Sequence, residues 1–156
     1  MTDEIGSPLH EDLERRIRES FGRQGLMGHL GASISEVRRG FVSIRMPFRP
    51  ELSQQHGYFH AGGTTAIADS AGGYAGFTVF PENSSVLTVE FKINLLNPAK
   101  GDAIEAVGRV IKSGRTLTIC QLEVFAENSD RRSLVAIGQQ TLICMAGRPD
   151  VSENAS

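Results

Sequence analysis

Asp69 is the only acidic residue between Glu51 and Glu82, and it falls within residues 61–80, where no Lys, Arg or Glu occurs. On a helix its neighbours three and four places away are Thr65, Ala66, Gly72 and Gly73, so it has no local basic partner. Such a carboxylate is solvated, paired with a remote residue, or used in chemistry. If used, it is a general base that activates water or a nucleophile that attacks a carbonyl directly. His60, Ala61 and Gly62 stand where a helix carrying Asp69 would begin. A helix start leaves backbone N–H groups without internal partners and carries about half a positive charge, which suits a developing oxyanion. The small residues Ala61, Gly62 and Gly63 let a substrate approach that backbone closely. His60 reads alternatively as a loop residue that only holds the turn. His56 lies four residues earlier in a stretch read as loop, and no third ligand is near, so no metal site is expected.

Nine residues of regular helix place His60 and Asp69 on opposite sides and about 13.5 Å apart along the axis. One chain cannot bring them together. If both serve one site, two chains build it, and a symmetric dimer contains two such sites.

The element carrying these groups is expected to run to Phe80, where Pro81 stops it. Gly62, Gly63, Gly72, Gly73 and Gly76 each cost a helix interior about 1 kcal/mol relative to alanine, so the helix needs outside support. With Ala61, Ala66, Ala68, Ala71 and Ala75 they make a thin rod, and a sheet wrapped around it would supply that support. Upstream, Leu9, Leu13, Ile17 and Phe21 recur every fourth position, predicting an amphipathic helix over 8–21. Residues 22–30 read as irregular. Residues 32–39 and 42–48 read as a hairpin turning at Arg38, Arg39 and Gly40, and residues 49–59 as an extended loop. After Pro81 the period becomes two: Leu87, Val89, Phe91, Ile93 and Leu95 are expected on one face, with Thr88, Glu90, Lys92 and Asn94 on the other. Three further strands follow over 102–112, 115–126 and 132–145, separated by turn residues. The order predicts an α+β domain, an antiparallel sheet curled around one long helix.

The 156 residues, 40% hydrophobic, suffice for a single domain over 1–156, with 1–7 and 148–156 read as loose tails. A net charge of -2 and a pI near 6.1 leave no electrostatic footprint for nucleic acid or an anionic membrane. Cys120 and Cys144 lie in apolar strand-like stretches without CxxC spacing and read as reduced thiols. With no apolar run long enough to span a bilayer, the expected location is the cytoplasm.

Residues 49–145 resemble the hot-dog fold acyl-CoA thioesterases, in particular the phenylacetate-degradation (PaaI-like) branch. The anchors are Gln54-x-x-Gly57-x-x-His60-Ala61-Gly62, then Ala68-Asp69, the strand end Asn97-Pro98-Ala99, and the turn Lys112-Ser113-Gly114-Arg115-Thr116 leading to Leu117. The resemblance implies hydrolysis of an aryl or short- to medium-chain acyl-CoA to the free acid and coenzyme A. Asp69 would be base or nucleophile, the amide of Ala61, where the family usually has glycine, would polarise the carbonyl, and His60 would stand beside it. Gln54 stands where relatives often carry Asn to orient water, and Thr88 matches a hydroxyl position near Asp69 in the same chain. Gly57, Gly62 and the 112–117 turn would contact substrate or the phosphates of coenzyme A. The resemblance also implies a homodimer or homotetramer and no cofactor, coenzyme A being part of the substrate. A hot-dog hydratase would carry His five residues after the acid, and position 74 is Tyr. The remaining alternative is a non-catalytic acyl-CoA binding or sensing module on the same scaffold, which would need an output element that this sequence does not display.

Overall fold

The computed structural model describes residues 4–151. Helix α1 (Glu11–Gly22) starts where His10 Nδ1 accepts from the Asp12 N–H, and it buries Ile17 and Phe21, as the four-residue spacing requires. Residues 22–30, expected to be irregular, instead contain a short helix, α2 (Gly25–Leu30), with Met27 and Leu30 buried and Gly31 ending it at φ 66. Its glycines depress local propensity, and burial against the core supplies what propensity lacks. Strands β1 (Ser33–Arg38) and β2 (Phe41–Pro47) form the expected hairpin. The loop after β2 is not wholly extended, because Pro50 to Leu52 make one tight 3-10 turn.

Helix α3 (Ala61–Phe77) is the central rod. It ends at Phe77, earlier than Pro81 alone would dictate. Thr78 Oγ1 donates back to Ala75 O and accepts the Gly40 N–H at 2.6 Å, which ties the β1–β2 turn to the helix end. Strands β3 (Ser84–Leu95), β4 (Ala103–Ser113), β5 (Leu117–Asn128) and β6 (Arg131–Ala146) complete one antiparallel six-stranded sheet in the order β1-β2-β4-β5-β6-β3. The core lies between sheet and rod, with Ile67, Ala68, Ala71 and Ala75 of α3 against Ile44, Ala106, Leu122 and Leu142.

The sheet backs tightly onto the rod at Gly108 on β4, where an added Cβ would sit 2.4 Å from Ala71 O, a backbone atom that cannot swing aside. Gly108→Val therefore forces strand and helix apart. It is expected to destabilise the fold by about 3 kcal/mol and lower Tm by roughly 10 °C. An unchanged melting curve would show that the approach at Gly108 is not tight.

Strand β3 departs from strict alternation. Thr88 pairs with Leu142 and Glu90 with Thr141, so Val89 is an extra residue and the pattern inverts beyond it. Directly opposed residues share a face. Phe91, Ile93 and Leu95, opposite Gln140, Gly138 and Ala136, therefore lie on the helix side with Thr88, while Leu87, opposite Ile143, faces the other way. β3 is also a sheet edge.

At the chain ends, Gly6 N–H donates to Arg39 O at 2.7 Å, and Arg23 binds the Asp150 carboxylate at 3.0 Å. Residues 1–3 and 152–156 of the expected tails lie outside the described residues. Among the described residues no helix is long and apolar enough to cross a membrane.

Candidate active site

Asp69 sits half-buried midway along α3, held by two neighbours. Thr88 Oγ1 donates to Asp69 Oδ1 at 2.7 Å, and Gln140 Nε2 donates to the same oxygen at 2.6 Å. Gln140 Nε2 also lies 3.1 Å from the Asp69 main-chain oxygen and 3.0 Å from Thr88 Oγ1. The two carboxylate oxygens are thereby made unequal. Oδ1 takes both hydrogen bonds, while Oδ2 has no partner among the described residues and is the oxygen available as base or nucleophile. The β3 bulge matters here, since it gives Thr88 and the residues beyond it their common inward face.

Asp69 opens onto a cavity of about 460 Å³ lined by Tyr74, Phe77, Ser70, Thr88 and Val86 on one side and by Ser20 and Gln24 on the other. The Tyr74 hydroxyl is tied to Ser20 Oγ at 3.0 Å and to Gln24 Nε2 at 3.1 Å. Burial raises its phenol above the ordinary range, so it is present as a neutral hydroxyl. Cys120, buried beneath α3, is no competing nucleophile, because burial pushes its thiol up to about 12.

The start of α3 lies in a separate cavity of about 450 Å³, lined by Gln54, Tyr58, Phe59, Ala61, Thr64 and the strand end Leu95 to Ala99. His60 is the N-cap, and its Nδ1 accepts the Gly62 N–H at 2.8 Å. This corrects the expectation of bare amides at both Ala61 and Gly62. The Gly62 donor is spent on the cap, and the Ala61 N–H is the one left without a partner among the described residues. An accepting Nδ1 leaves Nε2 as the donor nitrogen of a neutral imidazole. Gln54 Oε1 accepts the His56 N–H, which holds the loop and leaves its amide nitrogen available. Gly57 turns the same loop at φ 81, a conformation that favours glycine.

The structure thus brings together Asp69 with Thr88, and Gln54 with His60 and Ala61, in two places within one chain. The 112–117 turn joins neither group directly. It closes with Gly114 N–H donating to Leu117 O at 2.8 Å, and Ser113 Oγ meets Thr118 Oγ1 at 2.9 Å. Thr118 pairs with Leu142, which pairs with Thr88, so the turn stands at the Asp69 end of the sheet. Lys112, Arg115 and Thr116 are exposed there.

Gln140 was not singled out by motif. The sequence alternation marks neither face of β6 as the inner one; only in the structure, where Ala136 and Leu142 are buried, does Gln140 between them share their inward face, and an inward amide requires a polar partner.

The thioesterase superfamily pattern matches residues 56–132. A thioesterase family protein from Silicibacter pomeroyi superimposes with a TM-score of 0.84 at 41% identity, covering 86% of this chain and 99% of that one. The Escherichia coli PaaI protein shares the fold, with a TM-score of 0.78 at 19% identity over 88% of this chain and 96% of that one. The proofreading thioesterase EntH of Klebsiella pneumoniae is 23% identical over 75% of this chain and 85% of its own length. A six-stranded sheet around one helix, seen with these relatives, defines a hot-dog fold enzyme that hydrolyses thioesters. The chain belongs to the thioesterase superfamily.

Proposed function

We propose that the chain hydrolyses acyl-CoA thioesters at sites shared by two copies of itself, each site combining Asp69 of one protomer with the α3 start of its partner. The observation that carries this reading is the separation of the two half-sites. The free Oδ2 of Asp69 and the free Ala61 N–H line different cavities, and each half lacks what the other offers. The edge strand supplies the means of joining them. β3 leaves Leu87, Val89, Phe91 and Leu95 exposed at 56%, 57%, 44% and 59%. A long apolar edge of this kind is a template for pairing. Val86 and Thr88 line the Asp69 cavity, and Leu95 lines the other. Antiparallel pairing of two β3 strands about their middle lays the first end of one against the second end of its twin.

In the shared site the thioester carbonyl accepts from Ala61 N–H, with His60 Nε2–H beside it, and Gln54 reaches the same cavity. Either Asp69 Oδ2 takes a proton from water as the new C–O bond forms, or Oδ2 attacks the carbonyl carbon itself and water then cleaves the mixed anhydride. In both routes the C–S bond breaks, and coenzyme A leaves as thiolate and gains a proton. The exposed Lys112 and Arg115, with the donors of their turn, would hold the phosphates of coenzyme A.

The test is release of free thiol from a panel of aryl, short-chain and medium-chain acyl-CoA thioesters, alongside light scattering for mass. Turnover of one class by a dimer or larger assembly is expected. Tight binding of every thioester without turnover would replace this reading with an acyl-CoA sensor.

A further inference from the structure

We propose that Gln140, seated against Gly72, is a positioning residue that holds Asp69 by Oδ1 and by its main-chain oxygen, so that only Oδ2 is presented to the thioester. The inference rests on the thioesterase reading above and adds to it a residue on β6 and the reason for a glycine on α3.

Gln140 is fully buried, and its Nε2 faces three oxygens, namely Asp69 Oδ1 at 2.6 Å, Thr88 Oγ1 at 3.0 Å and Asp69 O at 3.1 Å. The Thr88 hydroxyl spends its own proton on Oδ1, so it too accepts from the amide. The donor end of Gln140 must therefore point at Asp69, because the reversed amide would set a carbonyl against these acceptors. The consequence is visible at the other end. Gln140 Oε1 is buried with no hydrogen-bond partner among the described residues. A position that served packing alone would carry an apolar side chain, as Leu142 does two residues on, and would leave no carbonyl unsatisfied. The unsatisfied oxygen is the cost of the donor that holds Asp69.

Gly72 gives that oxygen its place. A Cβ at position 72 would lie 1.9 Å from Gln140 Oε1 and 2.6 Å from Leu122 Cδ2. Gly72 lies one turn beyond Asp69 on α3, so the same helix that carries the acid also carries the notch for the residue that orients it. A carboxylate tethered at one oxygen and at its own main chain cannot rotate to exchange Oδ1 for Oδ2 without breaking both donors.

The experiment measures kcat and KM on the best thioester of the panel for wild type, Gln140→Met, Gln140→Ala, Gly72→Ala and the Gly72→Ala/Gln140→Ala double variant, with melting curves for each. Gln140→Met conserves volume and removes the donor. It is expected to lower kcat about 10- to 100-fold while KM stays within about twofold. Gly72→Ala displaces Oε1 and should lower kcat in the same way. Once Gln140 is alanine, Gly72→Ala should change kcat by no more than about twofold, because the nearer atom in its way is gone and Leu122 Cδ2, the end of a flexible side chain, can turn into the space left. An unchanged kcat in Gln140→Met overturns the proposal, as do effects of Gly72→Ala and Gln140→Ala that simply multiply. Failure of Gln140→Met to fold also overturns it, since the residue would then be structural. If Asp69→Ala is inactive while Gln140→Met turns over normally, the positioning role falls and the thioesterase reading stands. A wild type that turns over no thioester removes the reading itself.

Discussion

Asp69→Ala is expected to lower acyl-CoA turnover by about 10²- to 10⁴-fold, the range for loss of a positioned acid or base, and to leave the fold intact. The side chain is half-buried and contributes no apolar contact to the core, and alanine is the better helix former at position 69. What it removes is the shared acceptor of Thr88 and Gln140 and, among the described residues, the one carboxylate lining that cavity besides Asp150, which is engaged with Arg23. The variant should still bind the thioester, because the α3 start and the cationic turn are untouched. Binding measured by calorimetry on Asp69→Ala, beside thiol release, separates loss of chemistry from loss of affinity. A variant that keeps more than a tenth of wild-type kcat would remove Asp69 from the chemistry.

A comparable loss is expected from a change that touches neither half-site directly. Val89 and Phe91 are 57% and 44% exposed on the edge strand, so replacing both by lysine costs the isolated chain little. In β3 strands paired about their middle, the lysine at 89 of one strand lies against the lysine at 91 of its twin, and like charges directly opposed oppose pairing. Val89→Lys/Phe91→Lys should therefore run as a monomer in light scattering, keep its melting cooperativity, and lose activity to the level of Asp69→Ala. A monomeric double variant with wild-type kcat would mean that one chain suffices.

Much of the fold was legible because its strongest signals were local. Four-residue spacing gave α1, period two gave the strands, and glycine and alanine with a single charged residue gave a thin helix that needs a sheet around it. What escaped depended on tertiary contact. The turn of helix at Gly25–Leu30 is held by burial of Met27 and Leu30, which its glycines conceal. The bulge at Val89 carries no turn chemistry of its own and shows only in the pairing of Thr88 and Glu90 with β6. At the site, the lone acid and the small-residue helix start were plain from composition. The occupation of the Gly62 amide by His60 and the contact of Gln140 with Asp69 were not. The first needs a rotamer and the second a neighbour 71 residues away, and a spacing pattern carries neither.

The shared site is tested most directly by combining two inactive chains. Ala61→Pro removes the free N–H at the first helical position, where proline is tolerated, and His60 already has the extended backbone that proline requires before it, at φ -67 and ψ 137. Alone, it should lower kcat about 100-fold or more, as loss of an oxyanion donor does, and Asp69→Asn should be as inactive as Asp69→Ala. In a mixed dimer, the Asp69 of the proline chain meets the Ala61 of the asparagine chain, which rebuilds one complete site of the two. Coexpressed in equal amounts, the two chains should recover about a quarter of wild-type activity, half the dimers being mixed with one working site each. Activity no greater than the sum of the two parents would contradict a site made by two copies.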